Sequence, residues 1–480
     1  MNTQMIIDCK HVDASDGGFY ENINPSTGKS IGTTPIATKE DVEKALKSAV
    51  EGQKEWAEVP LYERIEIIYK FCGLVEKNAE KIGEAACLEG GKLLREAINE
   101  TKVAGYIFKA FAEAARNHYG VSLPRGTEPR VKDDILFTVN EPLGIVACIV
   151  PFNFPLELYA HKVAPALLMG NAVVIMPSPH TPLAASIITN LLIEAGVSPR
   201  AVQYITGGGA KVGSWLTTSP LVNAVSLTGG TRAAVDVIEK SAKNIPKLFF
   251  ELGGNDPLVI FGDADIELAV KESLGGRLAN SGQICCCSKR FIVHNSVKDV
   301  FTKKLLDALK GIKPEDAINP EAVIGPVVSE NAAAEIIRQV EKTVEQGAKC
   351  ILGGKHEGAY VAPIVLTDVT PEMDVSQSME IFGPVFPIIG FDTFEEAINI
   401  ANNTPYGLQA GVITENMKTA MKAASEIKCG AVVINGSGNY RSAHQPFGGY
   451  KLSGVGREGI ITTLDEMSQA KTISFKGILV

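Results

Sequence analysis

Three adjacent cysteines, Cys285, Cys286 and Cys287, follow a Gly-Gln pair in the stretch NSGQICCCSKR. Adjacent thiols do not easily ligate one metal, and the sequence holds no C-x-x-C pair or histidine cluster to complete a zinc site. A disulfide between neighbours is strained, which argues against a structural bridge. A nucleophile needs only one thiol, with a lowered pKa and an oxyanion donor nearby. The three cysteines therefore favour a nucleophile or simple packing over a metal site.

Two other polar residues stand at the ends of apolar strand patterns. Glu251 closes the pattern KLFF in FELGGN, where its side chain is either exposed on a loop or held in a cleft. In a cleft, desolvation would raise its pKa towards the range of a general base. Asn153 follows another strand pattern, in PFNFP, where its amide is either an oxyanion donor or part of a turn.

The usual phosphate-binding motifs are missing from the sequence. It contains no GxxxxGK[ST], and GGGAKVG at 207–213 lacks the G-x-G-x-x-G spacing, so this stretch predicts a turn. The loop SLTGGTRAA at 226–234 joins a strand pattern to a helix pattern, and its backbone N–H groups could face a pyrophosphate. A dinucleotide would thus bind without the common fingerprint.

The elements that must position these residues alternate between helix and strand. Residues 39–115 predict helices, because apolar residues recur along one helical face. From residue 134 onward, β-branched runs bounded by Gly and Pro predict strands, and helix patterns follow them. This alternation indicates a parallel doubly wound sheet, with a second α/β set after Gly254. The C-terminal KTISFKGILV predicts an arm or edge strand that pairs elsewhere, including on another subunit.

Length and composition limit the number of domains and the class of partner that the chain can have. A chain of 480 residues predicts two or three domains, and its formal charge of −9 disfavours binding to nucleic acid or anionic membranes. No signal peptide and no apolar run of membrane-spanning length are visible, so no membrane association is expected. Nine cysteines without an export signal predict free thiols in a reducing cytoplasm.

The order of the motifs decides between these alternatives. PFNFP, SLTGGT, FELGGN, GQICC, EIFGPV at 380–385 and PFGGYKLSGVGREG together resemble the aldehyde dehydrogenase superfamily over nearly the whole chain. The spacing from Glu251 to Cys285 is also the spacing of that family. The resemblance implies an α/β fold with two doubly wound Rossmann-like domains, one for the cofactor and one for catalysis, plus a small β oligomerisation element.

The resemblance also implies roles for individual residues. Cys285 is the expected nucleophile, because the family motif reads G-Q-x-C. Asn153 and the Cys285 backbone N–H would form the oxyanion hole, Glu251 would be the general base, and Lys162 a helper near the active site. The expected cofactor-binding residues are Pro151, Phe152, Met176, Ser178, His180, Thr228, Gly229, Gly230, Thr231, Leu252, Gly253, Glu380 and Phe382. The expected substrate-binding residues are His161, Ile284, Cys286, Arg441 and His444. No metal ligand is expected.

The implied reaction is oxidation of a small hydroxylated or anionic aldehyde to its acid. It would proceed through a thiohemiacetal on Cys285, hydride transfer to NAD(P)+ and hydrolysis of the thioester. Relatives that pass the acyl group to coenzyme A usually lack the equivalent of Glu251, so the hydrolytic type is favoured over a coenzyme A-acylating semialdehyde dehydrogenase. A non-catalytic binding or structural protein of the same fold is the third alternative.

Departures from the family pattern bear on the cofactor and the substrate. Many NAD-using relatives carry Lys and Glu where this chain has Met176 and Pro179, which favours NADP slightly and leaves NAD open. His161 and Arg441, with His444, could receive an anionic or hydroxylated aldehyde, although a surface Arg on a solvated loop is the alternative. The C-x-C spacing of Cys285 and Cys287 resembles that of some succinic semialdehyde enzymes, which suggests a reversible disulfide as a redox switch.

The resemblance also predicts how the chain is divided. Residues 1–121 and 141–251 would form the cofactor-binding domain, and residues 252–455 the catalytic domain. Residues 122–140 and 456–480 would form a discontinuous oligomerisation element, which predicts a homodimer or a homotetramer.

Overall fold

The structure is a computed structural model that describes residues 1–479. Its helices are α1 (Lys39–Ala57), α2 (Leu61–Lys77), α3 (Ala79–Gly90), α4 (Leu94–Ala115), α5 (Glu157–Leu168), α6 (Pro182–Ala195), α7 (Ser214–Thr217), α8 (Thr231–Ser241), α9 (Ile266–Leu278), α10 (Asn295–Leu309), α11 (Glu330–Glu345), α12 (Phe394–Asn402), α13 (Met417–Glu426) and α14 (Ile460–Glu466). Its strands are β1 (Met5–Ile7), β2 (Lys10–Val12), β3 (Phe19–Ile23), β4 (Ser30–Pro35), β5 (Ile135–Pro142), β6 (Ile145–Val150), β7 (Ala172–Pro177), β8 (Val202–Tyr204), β9 (Ala224–Thr228), β10 (Lys247–Glu251), β11 (Pro257–Ile260), β12 (Arg290–His294), β13 (Lys349–Leu352), β14 (His356–Glu357), β15 (Tyr360–Val361), β16 (Ile364–Val369), β17 (Val385–Phe391), β18 (Gln409–Ile413), β19 (Ala431–Ile434), β20 (Gly454–Val455) and β21 (Ser468–Phe475).

The first sheet has eight strands in the order β2-β1-β8-β7-β6-β9-β10-β20. Strands β6 to β10 run parallel, while β1, β2 and β20 add antiparallel strands at its two edges. The parallel strands are almost wholly apolar, as expected when helices cover both faces of a sheet. Their side chains form one hydrophobic core with those of α1 to α6, so the predicted helices over 39–115 and the predicted doubly wound sheet are confirmed.

The second sheet has seven strands in the order β13-β16-β17-β12-β11-β18-β19. All neighbours in it are parallel except β13, which pairs antiparallel with β16. It is the second α/β set predicted after Gly254. The exact domain boundaries stay a prediction, and β20 shows that residues 454–455 join the first sheet rather than the second.

The C-terminal strand pairs within its own chain. Strand β21 lies antiparallel to β5 over eight residues, from Ser468 opposite Pro142 to Phe475 opposite Ile135. The strand itself was predicted, and the structure supplies its intramolecular partner. Two further features were not predicted as such: the β3–β4 hairpin near the N-terminus, and the helical turn that residues 209–213 form within GGGAKVG. No helix among residues 1–479 has the length and apolar character needed to cross a membrane.

Candidate active site

Neighbouring parallel strands bring the first group of predicted residues together. Asn153 follows β6, Thr228 ends β9 and Glu251 ends β10, and these three strands are adjacent in the first sheet. Carboxyl ends of adjacent parallel strands meet at one edge of a sheet, which is where ligands bind in such folds. The cysteine loop, which precedes β12 of the second sheet, reaches the same edge. There Asn153 Nδ2 donates to the Gln283 carbonyl at 3.1 Å.

The backbone before Cys285 adopts an unusual conformation. Asn280, Ser281 and Gly282 have φ values of 46°, 54° and 77°, three successive residues in the left-handed region. Each such non-glycine residue costs on the order of 1–3 kcal/mol, so surrounding contacts must hold it. Asn280 Nδ2 donates to the Asn153 carbonyl at 3.0 Å, and Ser281 Oγ donates to the Gly325 carbonyl at 2.8 Å. The sharp turn thereby presents the cysteines to the edge of the first sheet.

Cys285 is the one cysteine of the three that reaches the surface of the cleft. Its side chain is partly exposed, whereas Cys286 and Cys287 are buried. Ile284, Cys286 and Phe447 pack beside it in a small apolar cluster. A hydrogen bond with Cys286, burial and the nearby Glu251 raise the pKa of Cys285 well above its usual range, and the same hydrogen bond lowers the pKa of Cys286. The expectation of a lowered pKa at the nucleophile is therefore not met.

Glu251 lies in the cleft and not on an exposed loop. Its side chain is 3% exposed, and neither carboxylate oxygen has a hydrogen-bond partner among the described residues. Burial raises its pKa to about 8, and the negative charge of Glu458 adds to the rise, while Arg441 and Lys162 oppose it. A carboxylate with this pKa can take a proton from water near neutral pH.

Glu458 is a member of the site that the sequence did not single out, although it belongs to the quoted PFGGYKLSGVGREG. One of its oxygens accepts from Lys162 Nζ at 2.9 Å and the other accepts from Arg441 Nη2 at 3.0 Å. Burial acts to raise its pKa, but Lys162 and Arg441 hold that pKa well below its usual range. Lys162, which is 1% exposed, also donates to Thr228 Oγ1 at 2.6 Å. Glu458 thus joins Lys162 and Arg441 beside the general-base candidate.

Among the expected substrate-binding residues, Arg441 and His161 lie in contact, whereas His444 stands apart. Arg441 is 14% exposed, stacks on Phe447 at 4.0 Å and contacts His161 Nε2 at 3.2 Å, so it is not a surface Arg on a solvated loop. Burial and the charge of Arg441 lower the pKa of His161 to about 3, which leaves His161 neutral. His444 is exposed and makes no hydrogen bond within residues 1–479, so nothing brings it to this group.

Several predicted cofactor residues line one side of the cleft. Phe152, after β6, contacts His180 and Phe382 edge to face, with ring centroids 5.9 Å apart in both pairs. Pro151 precedes it, and Ser178 follows β7 and accepts the His180 N–H at 3.2 Å. Met176 is buried, and its Cε lies 3.2 Å from where a Cβ of Gly213 would stand. Met176 is therefore covered by the helical turn of GGGAKVG, whereas Ser178 and His180 beyond it stay accessible.

Glu380 and the FELGGN segment form the opposite side. Glu380 Oε1 accepts the Gly254 N–H at 3.3 Å and pairs with Lys289 Nζ at 3.2 Å, which leaves Oε2 for a hydroxyl donor. A Cβ at Gly253 would lie 2.2 Å from Glu380 Oε2, so a larger residue there would displace the Glu380 carboxylate. Leu252, just before it, is buried. Lys289, two positions after the last cysteine of the run, was not predicted from the sequence.

The loop between β9 and α8 leaves its backbone accessible. Thr228 ends the strand, and Thr231 begins an 11-residue helix after Gly229 and Gly230. A Cβ at Gly230 would meet no atom within 4 Å. An open loop at a helix N-terminus suits a pyrophosphate, and the Glu380 carboxylate suits ribose hydroxyls, so the residues fit a nicotinamide dinucleotide.

Known proteins are similar to this chain over nearly its whole length. Residues 11–473 match the model of the aldehyde dehydrogenase family. The 3-sulfolactaldehyde dehydrogenase of Priestia aryabhattai is 36% identical over 453 residues, 94% of either chain. The mitochondrial succinate-semialdehyde dehydrogenase of Arabidopsis thaliana is 34% identical over 476 residues, 98% of this chain and 89% of the relative. Betaine aldehyde dehydrogenase of Staphylococcus aureus, solved in complex with NAD+, superposes with a TM-score of 0.95 at 32% identity and covers 99% of this chain and 95% of its own.

Proposed function

Since the chain belongs to the aldehyde dehydrogenase family and is an NAD(P)-dependent oxidoreductase acting on aldehydes, we propose that it oxidises a small anionic aldehyde to its acid by covalent catalysis at Cys285. The observation that carries this proposal is the buried Glu251. Its two carboxylate oxygens have no hydrogen-bond partner among residues 1–479, and it lies at the edge of the cleft that the cysteine loop also reaches. A base with no structural hydrogen bonds is available to water. This favours hydrolysis of the acyl-enzyme over transfer to coenzyme A.

In the first step the Cys285 thiol loses its proton to solvent, and the resulting thiolate sulfur attacks the aldehyde carbon. The carbonyl oxygen becomes an oxyanion of a thiohemiacetal and needs donors. Asn153 Nδ2 carries two hydrogens, of which one is donated to Gln283, so the other is free for the oxyanion together with the Cys285 backbone N–H. Each such donor stabilises the charge by roughly 3–4 kcal/mol.

The cofactor, NAD or NADP, supplies the hydride acceptor when bound, and solved members of the family hold one or the other. Within this chain Glu380 is the residue placed to bind ribose hydroxyls, and the glycines at 229, 230 and 253 allow close approach of the ligand. Thr228 and Thr231 lie at the loop that would receive the pyrophosphate.

Hydrolysis of the thioester is the task of Glu251. It removes a proton from a water molecule while the water oxygen attacks the acyl carbon, and the Cys285 sulfur leaves. Burial, with the charge of Glu458 as a smaller contribution, raises the pKa of Glu251 to about 8, so its carboxylate can accept this proton. Lys162 and Arg441 neutralise Glu458 in turn, which allows three charged groups to lie buried beside the base.

The anionic character of the substrate follows from Arg441. Its Nη2 is engaged with Glu458 and His161, but its buried Nε has no partner within the described residues. An unsatisfied guanidinium N–H beside the site favours a ligand that brings an acceptor oxygen. The names of these two relatives denote aldehydes that also carry an acidic group, a sulfonate in one and a carboxylate in the other.

The preference between the two cofactors rests on the end of β7. Met176 and Pro179 provide no carboxylate there to repel a 2′-phosphate, while Ser178 offers a hydroxyl and His180 a ring nitrogen. We retain NADP as the preferred cofactor, with NAD as the alternative. A cytoplasmic location and a homodimeric or homotetrameric assembly stay predictions from the sequence.

The test is a rate panel that follows NAD(P)H absorbance with each cofactor. It compares glycolaldehyde, lactaldehyde, glyceraldehyde 3-phosphate, succinic semialdehyde, a sulfonate-bearing aldehyde and a plain aliphatic aldehyde. The proposal predicts higher kcat/KM for the anionic members, lost in Arg441→Met and kept in the matched control His444→Ala. A preference for aliphatic aldehydes would refute the substrate class, and a thioester product that forms only with added coenzyme A would refute hydrolysis.

A further inference from the structure

The third cysteine of the run has a defined set of contacts. Cys287 is 0% exposed, and so is Arg277, which lies in the last turn of α9. Arg277 Nη1 donates to Cys287 Sγ at 2.7 Å, and the thiol donates to the Ile284 carbonyl at 3.1 Å, with the Gly282 carbonyl at 3.6 Å. The sulfur therefore stands between a guanidinium and the backbone of the nucleophile's own loop.

Arg277 is itself fixed by contacts on its other side. Its Nε donates to the Val385 carbonyl at 2.9 Å and its Nη2 donates to the Ile381 carbonyl at 2.6 Å, while Nη1 also reaches the Gly282 carbonyl at 3.4 Å. None of its hydrogen-bond partners among residues 1–479 is a carboxylate. A buried guanidinium is costly unless its donors are satisfied, so these carbonyls and the sulfur hold it in one orientation.

The carbonyl that the thiol binds belongs to a functional peptide unit. Ile284 C=O and Cys285 N–H are the two ends of one peptide bond, and that bond is planar and trans. Fixing the direction of the carbonyl therefore fixes the direction of the N–H. A hydrogen bond accepted at the oxygen also polarises the peptide and makes its N–H a stronger donor.

We propose that Cys287, held by Arg277, is a positioning residue that aims the Cys285 backbone N–H at the oxyanion of the reacting aldehyde. The inference rests on the proposed function, since it requires Cys285 to be the nucleophile. It gives the third thiol a task during every turnover, separate from the redox role that its spacing suggested. The donor that matters is a hydrogen on the side chain of residue 287, so a hydroxyl can replace the thiol.

The test compares three variants of the full-length protein. Cys287→Ser keeps a donor, whereas Cys287→Ala and Cys287→Val lack one, and Val also refills the buried volume in case the Ala variant does not fold. We expect kcat to fall about 10-fold or more in the Ala and Val variants, a partial loss of the effect of one oxyanion donor. KM should change less than about twofold, and Cys287→Ser should stay within about threefold of the unmodified enzyme.

A second readout separates positioning from general disruption. Alkylation of Cys285 by iodoacetamide, followed by mass spectrometry of that peptide, develops no oxyanion and should proceed at the same rate in all variants. Equal kcat in wild type and the folded donor-less variant would overturn the proposal. So would a loss of kcat in Cys287→Ser as large as in Cys287→Ala, or a parallel loss of alkylation. If wild type oxidises no aldehyde, or Cys285→Ala remains active, the proposed function itself fails, which is a different result.

Discussion

The two walls of the cleft differ in how their polar groups are satisfied. In the turn before Cys285, the buried side-chain nitrogen and oxygen atoms of Asn280, Ser281 and Gln283 have partners. After the cysteines, Ser288 Oγ is a buried atom of this loop without a partner in the described chain. The opposite wall has four buried polar atoms without partners in the described chain, two on Glu251, one on His161 and one on Arg441. Buried polar groups are normally paired, so unpaired ones indicate where ligands bind. The comparison separates a wall that holds the reacting atoms from a wall that receives water and substrate.

The largest effect is expected when the base, Glu251, is removed from the wall that has the unpaired polar atoms. Glu251→Gln keeps the shape but cannot accept a proton, so hydrolysis of the acyl-enzyme should slow by roughly 100- to 10,000-fold. Formation of the thioester should remain, and rapid mixing should show one equivalent of NAD(P)H per active site followed by very slow turnover. Unchanged steady-state turnover would remove Glu251 from the mechanism.

A somewhat smaller loss is expected at Asn153, which belongs to the first sheet and contacts the cysteine loop. Asn153→Ala removes one oxyanion donor and also the hydrogen bond to the Gln283 carbonyl. We expect kcat to fall about 100- to 1000-fold, without a burst of NAD(P)H, because formation of the thiohemiacetal is itself impaired. A burst of full amplitude in this variant would show that Asn153 acts elsewhere. The presence or absence of the burst therefore distinguishes the role of Glu251 in hydrolysis from the role of Asn153 in forming the thiohemiacetal.

The third prediction concerns pH. Glu251 acts as a base only when deprotonated, so the rate of hydrolysis should rise with pH and show an inflection near its pKa of about 8. Glu458→Gln removes a nearby negative charge that helps to raise this pKa, so the inflection should move to lower pH. Stopped-flow measurement of deacylation from pH 6 to 9 checks the shift, with the exposed Glu341→Gln as control. An inflection that stays in place or moves upward would contradict the assigned electrostatics.

The smallest effect is expected at the thiol pair. The hydrogen bond with Cys286 is the largest contribution to the raised pKa of Cys285, so Cys286→Ala should lower that pKa. More thiolate at pH 7 should make alkylation of Cys285 by iodoacetamide several-fold faster. The buried Cys429→Ala serves as the matched control. Slower alkylation in Cys286→Ala would mean that the neighbour assists ionisation instead of opposing it.

Three of the residues that the sequence identified share one property: each stands in a local motif at the end of a strand or helix pattern. Asn153, Glu251 and Cys285 are of this kind, and the fold brings them to one edge. Lys162 lies inside a helix and Arg441 in a loop, and both were identified by the family resemblance. Glu458 and Arg277 act through contacts that no local pattern encodes, and Lys162 and Glu458 lie 296 positions apart. The partners of a charged residue such as Glu458, which stands in a glycine-rich segment, cannot be identified from the sequence around it.

The same reasoning explains which elements were missed. Strands β3 and β4 are short, carry polar residues and pack only on one side, so their patterns are weaker than those of the central strands. The turn between them, NPSTGK, contains the Pro and Gly that mark a hairpin, and this signal was available in the sequence. Buried parallel strands such as β6 and β7 could be predicted because nearly every side chain in them is apolar.

The short strand β20 has a consequence for how the enzyme can move. After the last strand of the second sheet, the chain returns to the edge of the first sheet, where Gly454 pairs with Glu251 and the Leu252 N–H donates to the Ser453 carbonyl at 3.0 Å. A Cβ at Gly454 would lie 2.4 Å from the Phe250 carbonyl, so the two segments touch backbone to backbone. This seam ties the segment that leads to Glu458 to the strand that ends in Glu251. A wide hinge opening between the two sheets would break these backbone contacts. We therefore expect nucleotide exchange to proceed through local motion of side chains and loops. Glu251 and Glu458 should then move together as one rigid unit.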